Sequence, residues 1–185
     1  MNMFLAILSG AVIALALIAQ ADHFGQTFIA VAVFMLAVVF FVGVATVRRL
    51  LMLNRDDYVT VVGMNRLRHG YLELHPELEP NFTTSPYDDL TGALRTLGID
   101  AAARGGVGSF FHRSVTLPGM VGVVVSAVGG AIGGLAAAGF GAPAYVVILI
   151  GGAVFAATEF LIMRTGRHSF RAYGPGLQAR FPTPK

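Results

Sequence analysis

The chain has 185 residues, of which 55% are hydrophobic and 12% charged, with a formal net charge of +3 and no cysteine. Soluble domains carry about 25% charged residues, so the composition excludes an ordinary soluble fold, and the missing cysteine excludes disulfides, thiolate catalysis and cysteine-held metal. All thirteen Lys and Arg residues fall between Arg48 and Arg113 or between Arg164 and Lys185, flanking apolar stretches and interleaved with Asp and Glu. That is the pattern of topology determinants and anionic-lipid contacts, and it argues against nucleic acid as a partner.

In chain order, four apolar runs reach the roughly 20 helical residues that a bilayer core of about 30 Å requires. They are Met3 to Ala21, Thr27 to Val47, Leu117 to Phe140 and Ala144 to Met163. Asp22 to Gln26 joins the first two, and Gly141-Ala142-Pro143 joins the last two. Connections this short predict two antiparallel hairpins. An even number of spans puts both termini and the segment between the hairpins on one side, and the basic residues on that side make it cytoplasmic. Phe4 to Ile18 followed by Ala19-Gln20-Ala21 also has the form of a signal region with a small-x-small cleavage site, but no Lys or Arg precedes it. Retention of the first span is the expectation, and cleavage would leave the sidedness unchanged.

The third span carries Gly122, Ser126, Gly130, Gly134 and Ala138 four residues apart, with Gly129, Gly133 and Ala137 on the adjacent row. In lipid, close backbone approach across small residues is a main source of helix association. This face therefore predicts a tightly packed neighbour, either another helix of the same chain or a second protomer. The first span has a shorter row, Ala6, Gly10 and Ala14, and the fourth opens with Gly151 and Gly152. Phe28, Phe34, Phe40 and Phe41 make the second span bulky, as suits lipid contact or a hydrophobic constriction. The fourth span holds Glu159, and intramembrane carboxylates face the bundle interior, a partner or an ion path. Arg48 and Arg49, at the end of the second span, are its expected partners.

Between the hairpins, Val61, Met64, Leu67, Tyr71 and Leu74 form an apolar stripe at helical spacing. The stripe predicts a helix that buries these residues, against Leu90, Leu94 and Leu97 or against a second protomer. The second span is expected to run into this helix with a local break near Asn54 to Asp57. Pro76 and Pro80 end it. Ser85-Pro86-Tyr87-Asp88 reads as an N-cap, a Pro at the first helical position and an acid near the positive helix end, opening a short helix to Leu97 that Gly98 stops. Gly105, Gly106 and Gly108 read as a joint, and Phe110, Phe111, His112 and Arg113 as an interfacial anchor.

Catalytic chemistry finds little purchase. The glycines at 105–108 lack the preceding strand and following helix of a phosphate loop. His23, His69, His75, His112 and His168 show no metal-ligand spacing. Asp56-Asp57 and Asp88-Asp89 are adjacent pairs whose side chains diverge on a helix. Asn81-Phe82-Thr83 is a glycosylation acceptor on the wrong side. No cofactor and no enzymatic activity are expected.

The string Gly63-Met64-Asn65-Arg66-Leu67-Arg68-His69-Gly70-Tyr71-Leu72-Glu73-Leu74, followed by Pro76 and Pro80-Asn81-Phe82, resembles a group of uncharacterised bacterial four-span membrane proteins. These place a similar Met-Asn-Arg-x-Arg-x-x-Tyr helix after the second span. The resemblance covers Arg48 to Asp89 and the span pattern, and implies no particular activity. Read physically, Asn65, Arg66, Arg68 and His69 form a polar patch open to an acidic ligand, a lipid headgroup or a protein partner, or simply a solvated face. The expected architecture is all-α: a transmembrane hairpin at 1–47, a cytoplasmic helical domain at 48–116, a second hairpin at 117–163 and a cytoplasmic tail at 164–185. The expected function is a small homo-oligomeric channel or pore-type effector controlled through the cytoplasmic domain. The alternative is a non-conducting anchor or accessory subunit of a larger membrane complex.

Overall fold

The structure, a computed structural model, describes residues 2–98, 117–171 and 178–184, with the backbone alone for 167–171. The expected joint and anchor at 105–113 lie outside the described residues, as does the His168 side chain. Helices α1 (Asn2–Asp22), α2 (Gln26–Leu74), α3 (Leu90–Thr96), α4 (Leu117–Gly139) and α5 (Ala144–Arg171) follow one another, with a 3₁₀ turn at Pro76–Asn81. Among the described residues there is no strand. α1, α2, α4 and α5 each contain a stretch long and apolar enough to cross a membrane.

Local chemistry sets the turns. His23 and Phe24 both sit at positive φ, 49° and 62°, a conformation that non-glycine residues adopt only when their surroundings enforce it. Here Asp22 enforces it: its Oδ2 accepts from the Phe28 N–H at 2.7 Å, putting an anion at the N-terminus of α2. The second hairpin turns on Gly141 at φ 76°. The Ala142 N–H donates to the Ala137 carbonyl and that of Gly141 to Ala138, a Schellman closure of α4. Pro143 then leads into α5.

α2 is one helix of 49 residues. The expected break near Asn54 to Asp57 does not occur. Asn54, Asp56 and Asp57 are exposed and leave the backbone ladder intact, and the Thr60 hydroxyl donates back to the Asp56 carbonyl at 2.9 Å. Polarity alone does not interrupt a helix; a missing N–H or a clash does.

The chain divides into two compact units, Met1–Leu50 with Thr116–Gly166, and Leu51–Val115 with Arg167–Lys185. In the first, α4 is the central helix: half of its apolar window is buried, against none of that of α5. A Cβ on Gly130 would lie 2.9 Å from the Gly151 carbonyl oxygen, and one on Gly133 would lie 2.8 Å from Val154. One on Gly129 would meet Phe40 and Thr158, and one on Gly122 would touch Ile162. The glycine face of α4 is therefore used inside the chain, chiefly against α5. By contrast Ala6 and Gly10 are exposed, and nothing stands within 4 Å of a Cβ on Gly10 or Gly152. α1 packs instead through Phe4, Ala11 and Ala19. Phe28 departs from the lipid-facing expectation for α2, being buried with Ala19 and Ala32, whereas Phe34 and Phe41 are exposed.

In the second unit the apolar stripe is not the buried face. Met64, Leu67, Tyr71 and Leu74 are all exposed, Leu74 at 76%, while Val62, Asn65, Ala93 and Asp88 form the interior. Of the cover expected within the chain, Leu90 and Leu97 are exposed as well and Leu94 is half-buried. The reason is polar: the residues between the apolar positions find hydrogen-bond partners that only the interior supplies, and these bonds orient the helix.

Candidate functional site: a buried carboxylate hub and a glutamate between two apolar helices

Asn65 points inward from α2 and is fully buried. Its Nδ2 donates to the Tyr87 carbonyl at 2.7 Å, and its Oδ1 accepts from Arg68 Nη1 at 2.6 Å and Thr96 Oγ1 at 3.1 Å. One turn of helix carries the neighbouring partners. Arg66 Nε donates to Asp88 Oδ2 at 2.7 Å, and Arg66 Nη2 donates to the Gln178 carbonyl at 2.8 Å. Of the expected patch, then, Asn65, Arg66 and Arg68 are committed to contacts within the chain. His69 lies against an aromatic ring, stacked on Phe181 with centroids 3.9 Å apart.

Asp88 is the hub. It is buried, its Oδ2 also accepts from the Arg180 N–H at 2.9 Å, and its Oδ1 accepts from the Phe181 N–H at 2.8 Å. Its own N–H donates to the Phe181 carbonyl, so two extended segments pair over a single residue. Asp89, rather than Ser85, is the N-cap of α3, accepting from the Gly92 N–H at 2.8 Å; its Oδ1 accepts from the Thr183 hydroxyl at 2.7 Å as well. Ser85 instead accepts from the Tyr87 N–H, closing the turn ahead of the pair. Gly92 is required at its position because a Cβ there would collide with the Tyr87 carbonyl.

Burial would raise the Asp88 carboxyl, but the N–H groups of Arg180 and Phe181 and the Arg66 guanidinium outweigh it and hold the group below the ordinary 3.8. The same balance lowers Asp89, where Thr183 and Gly92 supply the donors. Tyr58 is pushed upward, first by burial and then by the charges of Asp89 and Asp88. Carboxylates so saturated with donors hold chain segments in place; they do not exchange protons near neutral pH.

In the first unit, Glu159 on α5 meets Ser126 on α4, whose hydroxyl donates to Glu159 Oε2 at 2.8 Å. Ser126 is fully buried, and the missing side chain at Gly122 leaves room for the carboxylate, 3.9 Å from where a Cβ would stand. The expected partners are not used: Arg48 and Arg49 are exposed, and among the described residues neither forms an ion pair with Glu159. The partner came from the small-residue row itself, where a hydroxyl can approach as closely as glycine permits.

Sequence reasoning missed the role of Gln178, Phe181 and Thr183, which it placed in an undifferentiated tail. An aromatic residue between Arg180 and Pro182 was the available signal. Comparison with known protein families, with curated proteins and with solved structures finds no match to the chain.

Proposed function

We propose that the protein is a bacterial inner-membrane protein with both termini in the cytoplasm, acting as a non-conducting anchor or accessory subunit of a larger membrane complex. The supporting observation is the orientation of α2 beyond the apolar stretch. Its polar residues Asn65 and Arg66 are spent on contacts within the chain, and Met64, Leu67, Tyr71 and Leu74 are exposed. What this helix offers to other molecules is an apolar face, a feature of surfaces that join assemblies. The glycine row of α4, filled by α5, gives no support to a multi-subunit pore. Self-association remains part of the proposal through the exposed Ala6 and Gly10 of the row that Ala14 continues. The test is paired. Purified protein in proteoliposomes is expected to give no ion flux above protein-free vesicles. In mildly solubilised native membranes, Leu67→Glu is expected to migrate in a smaller assembly than the parent while keeping its thermal stability.

The channel reading keeps one specific support. Glu159 places an ionisable group between α4 and α5, and α2 is a single helix shared by both units. Ion flux from vesicles, lost in Glu159→Gln, would decide for it.

A further inference from the structure

The segment Gln178–Pro184 is held like a bound peptide. None of its residues is buried: Phe181 and Thr183 are half-buried and the other five are exposed. A strand that belonged to a core would bury its side chains, but this one is gripped mainly through its backbone. The N–H groups of Arg180 and Phe181 donate to Asp88, the Phe181 carbonyl accepts from the Asp88 N–H, and the Gln178 carbonyl accepts from Arg66. Main-chain pairing of this kind supplies affinity with little dependence on sequence, and side-chain contacts at a few positions supply the selectivity. Two such contacts exist here, the Phe181 ring on His69 and the Thr183 hydroxyl on Asp89.

The receiving side is built independently of the segment it holds. Asp88 is kept in position by Arg66, Asp89 by capping α3, and Asn65 ties Tyr87 and Thr96 to α2. The resident segment also leaves one polar atom of the receiving side unsatisfied: among the described residues, the His69 Nδ1 is buried with no hydrogen-bond partner.

We propose that the surface formed by Arg66, His69, Asp88 and Asp89 is a peptide-binding site for an extended segment of a partner protein, and that Gln178–Pro184 is the tethered competitor occupying it. The partner segment carries an aromatic residue at the position of Phe181 and a hydroxyl residue two positions later. It has no acidic residue nearby, since two carboxylates line the site. This inference rests on the accessory-subunit reading for the existence of a partner, and it names that partner's chemistry.

A tethered ligand acts at an effective concentration on the order of millimolar, so an external peptide competes at a disadvantage until the tether is weakened. The test uses the full-length protein in detergent and a fluorescent peptide of the sequence Gln178–Pro184, followed by fluorescence anisotropy. Phe181→Ala is expected to bind the peptide about tenfold more tightly than the parent, or better. Adding Asp88→Asn is expected to abolish that binding, as is using a peptide with Ala at the Phe181 position. Equal affinity for parent and Phe181→Ala would overturn the proposal, as would no binding by a folded Phe181→Ala. Thermal unfolding of Phe181→Ala closes the remaining case: loss of the folded second unit would make the segment a structural strap and equally overturn it. Peptide binding together with ion flux from vesicles would retain the site and reject the accessory-subunit reading. Absence of both would do the reverse.

Discussion

Asn65 and Asp88 decide which way α2 faces, and both are expensive to replace. Asn65→Leu would leave the Tyr87 carbonyl without its donor and Arg68 without its acceptor inside the second unit, while the Thr96 hydroxyl keeps the Gly92 carbonyl. At about 1–3 kcal/mol for each buried group left unsatisfied, this variant should lose a large share of that unit's stability in denaturant unfolding. Met64→Ser and Leu67→Ser, at exposed positions, should stay within about 0.5 kcal/mol of the parent. The opposite ranking would mean that the apolar stripe is the buried face. Asp88 and Asp89 add a pH dependence with a definite sign. Their folded pKa values lie below the ordinary 3.8, so the stability they supply is complete above that value and lost as the pH falls through the lower folded values. Arg66 remains charged throughout. Acid titration of the parent should therefore show a destabilising slope below pH 3.8, and Asp88→Asn should flatten it.

At the scale of elements, the α4–α5 contact rests on two glycines meeting carbonyl to Cα. Gly130→Leu would drive a side chain into the Gly151 carbonyl, which a Cβ alone would already approach to 2.9 Å. A cost of about 1–3 kcal/mol or more follows from overpacking, seen as a lowered melting temperature in detergent, whereas Gly152→Leu, in open space, should melt as the parent does. The four apolar helices and both short turns were legible in the sequence because length and hydropathy alone dictate them in lipid. The orientation of α2 was not. Its apolar residues sit at helical spacing, and in isolation that pattern argues for burial; the bonds of Asn65, Arg66 and Asp88 that override it reach residues 22 to 112 positions away. The same applies to Glu159, where charge suggested Arg48 or Arg49 and the contact formed was a hydroxyl 33 positions back. Periodicity reports what a helix could bury. Which polar groups it can satisfy is a property of the tertiary structure.

For the whole molecule, α2 is the element that both units share. A chain with a flexible joint at Asn54 to Asp57 would accept proline there, since a joint has no backbone ladder to lose. The observed helix runs through that region unbroken, so Asp56→Pro removes a hydrogen bond and forces a clash, at about 3 kcal/mol or more. Limited proteolysis of this variant should produce a new cut near residue 56 that the parent lacks. An unchanged digestion pattern would restore the joint.

The donors that complete Asp88 lie 92 and 93 residues after it in the chain. During synthesis at about 5–20 residues per second, the α2–α3 region therefore waits roughly 5–20 s for Arg180 and Phe181 to be made. Over that interval the nascent protein carries a partly unpaired carboxylate beside Arg66 and His69, while the second apolar hairpin is still being made.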